Sequence, residues 1–241
     1  MPYYRRTTEA GNTLIVEKGY RRGQTVKFRS GKERPTKEAV KKHNETLAVR
    51  KLTALMNENF RKDDLHLTLT YKIQNRPAAT EAKKSLNIFI RRLRGLYKKA
   101  GKELKYIHTT EYKRTAIHHH ILVNYHDLRE IKGCWEYGTV RPTLIYTHNL
   151  KKLAEYFIKE TKETFREKGG SRQRYVPSRN LKRPEPKEET MKRNRWRDEP
   201  EEKKGYYIDR DSTESGVNEV TGHLYQYVIY VKMEAEICKR Q

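Results

Sequence analysis

The chain has 241 residues, room for one substantial domain or two small ones, and its 34% hydrophobic against 35% charged residues leave only a lean core. Lys and Arg number 54 against 31 Asp and Glu, a formal charge of +23, which suits a polyanionic partner, nucleic acid ahead of an anionic membrane. The start "MPYYRRTTEAG" has no apolar signal core and no run approaches the ~18 apolar residues of a membrane span. Cys134 and Cys238 lie far apart without disulfide-framework or zinc spacing, so the expectation is a cytoplasmic protein with no membrane partner.

Taken in chain order, "YRRGQTVKFRS" (20–30) has room for a short strand. "TKEAVKKHNETLAVRKLTALMNENF" reads as a helix with Thr36 as N-cap and Ala39, Leu47, Leu52 and Leu55 apolar along it. In "DLHLTLTYK", Leu65, Leu67, Leu69 and Tyr71 alternate with His66, Thr68 and Thr70, the period of a half-buried strand. After the turn "QNRPAAT", Ala82, Leu86, Phe89, Leu93, Leu96 and Ala100 step along one face of a helix over about 78–100, with Lys83, Lys84, Arg91, Arg92, Arg94 and Lys98 on other faces. Gly101 can end it.

"LKYIHTTEY" (104–112) and "AIHHHILVN" (116–124) read as strands whose short "KRT" connection implies an antiparallel hairpin. A short helix in "LREIKGCW", a strand in "YGTVRPTLIY" and a helix in "HNLKKLAEYFIKETKETFREKGG" follow. Residues 171–204 are charged and proline-containing, an extended arm rather than a second core, and "HLYQYVIYVKM" (223–233) is a last strand. The order predicts an α+β fold, an antiparallel sheet with helices packed on it. The expected division is a basic N-terminal extension over 1–60, a catalytic core over 61–170, and a charged arm with a C-terminal strand packing back on the core over 171–241.

The stretch "TAIHHHILVN" carries three successive histidines inside an apolar run. Strand alternation makes this a His-x-His pair: His118 and His120 share one face, about 7 Å apart, and His119 faces the other way with Ile117, Ile121 and Val123. Neutral imidazole is a common metal ligand. Glu111, on the preceding strand and seven residues before His118, can place a carboxylate beside the pair. Two imidazoles and a carboxylate would hold Mg²⁺ or Mn²⁺ with positions left open for a substrate oxygen. The bland alternative is a histidine-rich strand without metal. His108, His126 and His148 are weaker candidates for a further ligand.

In "LAEYFIKET", Leu150, Leu153, Ala154, Phe157 and Thr161 make the buried stripe of a helix, and Tyr156 lies at its border. Lys152 and Lys159 share the tyrosine's side of the helix. Nearby ammonium groups favour phenolate and would hold a phosphate, which suits a tyrosine nucleophile. A boundary tyrosine with solvated lysines is the competing reading.

In order and spacing, "DLHLTLTYK", "HHH" and "YFIK" resemble the three motifs of HUH endonucleases, the initiators of rolling-circle DNA replication. "NENFRKDDLHLTLTY", "LKYIHTTEY", "HHHILVN", "LAEYFIKET" and "YVPSRNLKRP" are similar to the replication-associated group that includes the gene II proteins of filamentous phages. The resemblance covers roughly residues 50–185, with a weaker echo in "GHLYQYVIYVK". It implies a ferredoxin-like or RRM-like antiparallel core and a divalent metal, Mg²⁺ or Mn²⁺, on His118, His120 and Glu111. It implies Tyr156 as nucleophile with Lys159 as its helper. The implied activity is site-specific nicking and joining of single-stranded DNA at a replication origin through a 5′-phosphotyrosyl link, with a host polymerase extending the free 3′-OH and a host helicase unwinding.

Two departures stand out. His119 is not a plain hydrophobe, and Lys152 occupies the position four before Tyr156 where a second tyrosine would stand, so a single-tyrosine enzyme is implied. Thr68 and Thr70 are candidates to line the DNA channel, and Lys152 and Arg179 to hold phosphates, as are the cations of the 78–100 helix. A conjugative relaxase or mobilisation nickase and a single-tyrosine transposase share this chemistry. A non-catalytic single-stranded nucleic-acid-binding protein, working through charge and tyrosines alone, is the rival of a different class.

Overall fold

The structure, a computed structural model, describes residues 2–21, 35–113, 116–161 and 173–233. The strand considered within 20–30 falls almost entirely outside these residues, as does the end of the helix expected to run to 170. The described residues form an α+β protein with two sheets, antiparallel in every pairing, and four helices. They cluster into two compact units. One holds 1–58, 148–151 and 183–241; the other holds 59–147 and 152–182.

The first unit begins with a hairpin, β1 (Tyr4–Ala10) and β2 (Thr13–Gly19), followed by helix α1 (Lys37–Asn59). A two-residue Gly11–Asn12 loop joins the strands, with φ of +57° at Gly11, a conformation glycine adopts without steric cost. A Cβ there would also lie 2.1 Å from the carbonyl oxygen of Asn57. Thr36 caps α1 as expected, its Oγ1 accepting from the Ala39 N–H at 3.1 Å.

The rest of this sheet comes from the C-terminal third of the chain: β8 (Lys187–Thr190), β9 (Tyr206–Ile208), β10 (Glu214–Val217) and β11 (Leu224–Lys232). The order is β10-β11-β2-β1-β8, with β9 also on β11. β11 is buried on both faces, Tyr227, Ile229 and Val231 against Ile15 and Val228 and Tyr230 against Val16. Residues expected as an N-terminal extension and a charged arm thus build a sheet of their own.

The second unit holds β3 (Leu65–Leu69), α2 (Ala79–Lys99), β4 (Tyr106–Lys113), β5 (Ala116–Val123), α3 (Leu128–Gly133), β6 (Val140–Leu144), most of α4 (Lys151–Glu160) and the short β7 (Val176–Pro177). Its sheet has the order β6-β3-β5-β4-β7. The alternation in β3 sends Leu65, Leu67 and Leu69 to one face, where they are fully buried with Ile121 and Val123 under Leu86, Phe89, Leu93 and Tyr97 of α2. Burying each such side chain contributes about 2 kcal/mol. Gly101, at φ +65°, ends α2 as expected.

Asp64 locks β3 between its neighbours. Its carboxylate accepts from the Tyr125 N–H at 2.8 Å, and its carbonyl accepts from the Ile145 N–H at 2.8 Å. His66 and Thr68 are thereby committed to the face opposite α2, and it is this face that carries the polar cluster.

Candidate active site

Strand alternation separates the three histidines. His119 turns to the α2 face and is fully buried, its Nε2 2.8 Å from Tyr71 Oη and its Nδ1 2.8 Å from Thr110 Oγ1. Neutral imidazole has one donor and one acceptor nitrogen, and two hydroxyls satisfy both. Burial, reinforced by neighbouring imidazoles, takes its pKa down to about 3. His119 is a core residue.

His118 and His120 face the other way. Glu111 lies directly opposite His118 in the β4–β5 register. Its Oε2 is 3.6 Å from His118 Nδ1 and 3.6 Å from His120 Nε2, and the residue is only 4% exposed. On the other side His120 lies opposite Thr68 of β3, whose Oγ1 is 3.3 Å from His120 Nδ1. That contact fixes the ring and leaves Nε2 turned toward the cluster.

Helix α4 completes the group. Ala154, Phe157 and Ile158 are buried, whereas Tyr156 at the border of this stripe is 37% exposed. Its Oη lies 3.3 Å from His120 Nε2, and the two rings meet edge to face at 4.9 Å. The phenol therefore stands over the imidazole while remaining open to a substrate.

Two imidazoles and a buried carboxylate within 3.6 Å are a donor set that suits a dication such as Mn²⁺ or Mg²⁺. Donors on one ion sit roughly 3 Å apart when bonds are ~2.1 Å, so the spacing is close to that of a ligand set. Among the described residues, no three His, Cys, Asp or Glu side chains are already closed around a common point. In the tautomer with its proton on Nδ1, His120 has a single lone pair on Nε2, which serves either the Tyr156 hydroxyl or a cation.

Residues 64–165 match the family model of replication-associated protein ORF2/G2P. Over this segment the chain is similar to replication-associated proteins of the ORF2/G2P type. No curated protein and no solved structure matches the chain. The matched segment opens at the start of β3 and ends just after α4, so it contains Thr68, Glu111, His118, His120 and Tyr156. This agrees with the resemblance carried by the motifs, over a narrower span than 50–185.

Other expected residues stand further out. Lys152 and Lys159 are exposed on α4, and Arg179, beyond the family segment, is exposed after β7. Thr70 Oγ1 makes a long 3.4 Å contact with the Thr139 carbonyl at the end of the sheet. None of the weaker histidine candidates joins the cluster: His108 stacks on Tyr106, His126 packs on Tyr97, and His148 contacts Asn12, both of them in the first unit. The cations of α2 belong to the face opposite Tyr156.

One member was missed as a site residue. The His66 ring lies 5.6 Å from that of His120, 6.0 Å from Tyr156 and 5.5 Å from Phe157. Burial first, then the neighbouring His120, takes its pKa down to about 4, so it is neutral at physiological pH. Its Nε2 is buried with no hydrogen-bond partner among the described residues. Alternation put His66 on the polar face with Thr68; only the docking of α4 distinguishes a covered position there from a solvated one.

Proposed function

We propose that this chain initiates rolling-circle replication by nicking single-stranded DNA at an origin, with Tyr156 as nucleophile. The observation that carries the reading is the Tyr156 hydroxyl 3.3 Å from His120 Nε2, beside a carboxylate that touches both His118 and His120. A hydroxyl, two imidazoles and a carboxylate on one partly open face match what phosphoryl transfer to tyrosine needs.

In this reading Glu111, His118 and His120 hold Mg²⁺ or Mn²⁺, which when bound supplies Lewis-acid polarisation of the scissile phosphate. Thr68 keeps the His120 ring in place. Tyr156 Oη forms a bond to phosphorus, the bond from phosphorus to the 3′-oxygen breaks, and the phenolic proton is passed on so that the leaving oxygen departs as a 3′-OH. The 5′-phosphotyrosyl bond keeps the energy of the broken linkage, so the reverse attack rejoins the strand without ATP. Lys159, three residues along α4, offsets charge on the phosphate oxygens. A host polymerase extends the 3′-OH and a host helicase unwinds the duplex.

The test is cleavage of a diverse single-stranded DNA pool with Mn²⁺, read on a denaturing protein gel. Wild type should give a covalent protein–DNA band that is absent in Tyr156→Phe and in the His118→Ala, His120→Ala double variant. Binding without any covalent band would favour a non-catalytic single-strand-binding protein. A band kept by Tyr156→Phe would move the nucleophile to another residue.

A further inference from the structure

Edge strand β6 carries one cation onto the face where Tyr156 stands. Arg141 lies opposite Thr68 in the β3–β6 register, and Thr68 lies opposite His120. Paired residues of antiparallel strands share a face, so Arg141, Thr68 and His120 form one row across the sheet. The neighbours of Arg141 confirm this placement. Val140 lies opposite Leu69 and is buried in the α2-side core, and Pro142 lies opposite Leu67. Arg141 itself is exposed, and no described residue pairs with its guanidinium.

Two strand spacings, about 10 Å, separate the backbones of Arg141 and His120. An extended arginine side chain and one phosphate together span that gap. Glu111 approaches His120 from β4, and Arg141 lies on its other side, on β6. A strand laid across the sheet with its scissile phosphate at Tyr156 therefore places a neighbouring phosphate within reach of Arg141. Guanidinium is well suited to it, being always charged and able to grip two phosphate oxygens at once.

We propose that Arg141 is a positioning residue that holds the backbone phosphate adjacent to the scissile one. The proposal rests on the nicking reading above and adds the line along which the DNA crosses the sheet, between β4 and β6. A backbone contact of this kind fixes register without reading sequence.

The test uses the full chain, a fluorescent random-sequence single-stranded 30-mer, EDTA to remove metal, and anisotropy at several salt concentrations. Arg141→Gln should weaken binding about three- to ten-fold and take about 0.7 off the slope of log K against log salt, the value for one single-strand phosphate contact. Arg141→Lys should keep the slope and most of the affinity, which shows that charge rather than folding is lost. Lys132→Gln, exposed on α3, whose Ile131 packs in the α2-side core across the sheet, should match wild type. In Mn²⁺, Arg141→Gln should form the covalent band with a raised half-saturating DNA concentration. An unchanged salt slope for Arg141→Gln overturns the proposal even if wild type forms the band. Absence of the band in wild type, with the slope change present, overturns the nicking reading and leaves Arg141 as a DNA contact.

Discussion

At the residue scale, the side chain that decides how His120 can act is Thr68, which sequence suggested only as a lining of the DNA channel. Its hydroxyl is 3.3 Å from Nδ1, and the Tyr156 hydroxyl is 3.3 Å from Nε2. One contact sets which nitrogen faces the cluster. Thr68→Val keeps the branched shape that strands favour and removes only the hydroxyl. Covalent-band formation should fall about 10- to 100-fold, as for loss of a group that orients a ligand imidazole, with thermal stability nearly unchanged. Thr68→Ser should restore most of the rate. A valine variant with the wild-type rate would return Thr68 to a plain strand residue.

At the element scale, the register of β3 between β5 and β6 builds the site, and one glycine permits it. Gly138 sits so close to the end of β3 that a Cβ would lie 2.0 Å from the Thr70 carbonyl oxygen, a backbone atom that also accepts from Trp135 Nε1 at 3.0 Å. Gly138→Ala must move that backbone, at a cost of about 1–3 kcal/mol, as for overpacking elsewhere. Urea unfolding should show a lower midpoint with an unchanged m-value; an unmoved midpoint would show that the loop yields freely. The same sheet explains what sequence disclosed. β3, β4 and β5 follow from alternation within each strand, and the short hairpin puts Glu111 opposite His118, so the His-x-His pair, its carboxylate and Tyr156 at a stripe border were all legible. β1 with β8, and β2 with β11, pair across most of the chain length, and no local pattern announces such partners. The Gly11–Asn12 loop is a local hairpin signal, but it carries no information about which distant strands flank β1 and β2.

At the scale of the whole molecule, a chain this charged keeps several neutral imidazoles indoors. Burial takes His66 and His108 down to about 4 and His119, with help from its neighbours, to about 3. A histidine whose folded pKa lies below its unfolded value of ~6.5 binds fewer protons when folded, so stability rises with pH between the two values. The stability these groups contribute is therefore full above pH ~6.5. It declines as pH falls from there through about 4 for His66 and His108 and about 3 for His119. Each contributes a slope of up to about 1.4 kcal/mol per pH unit in that window. Metal-free protein should lose stability steadily between pH 6.5 and 5, above the range where most carboxylates titrate. His108 isolates the effect, because its ring stacks on Tyr106 away from the site and its buried Nδ1 has no hydrogen-bond partner among the described residues. His108→Leu should hold its stability near pH 7 and show a shallower decline toward pH 5, smaller by about one proton taken up on unfolding. Urea midpoints at half-unit steps of pH measure both. An undiminished slope in the leucine variant would mean that His108 is already protonated in the folded chain, and that the charge is held by the surrounding sheet rather than excluded from it.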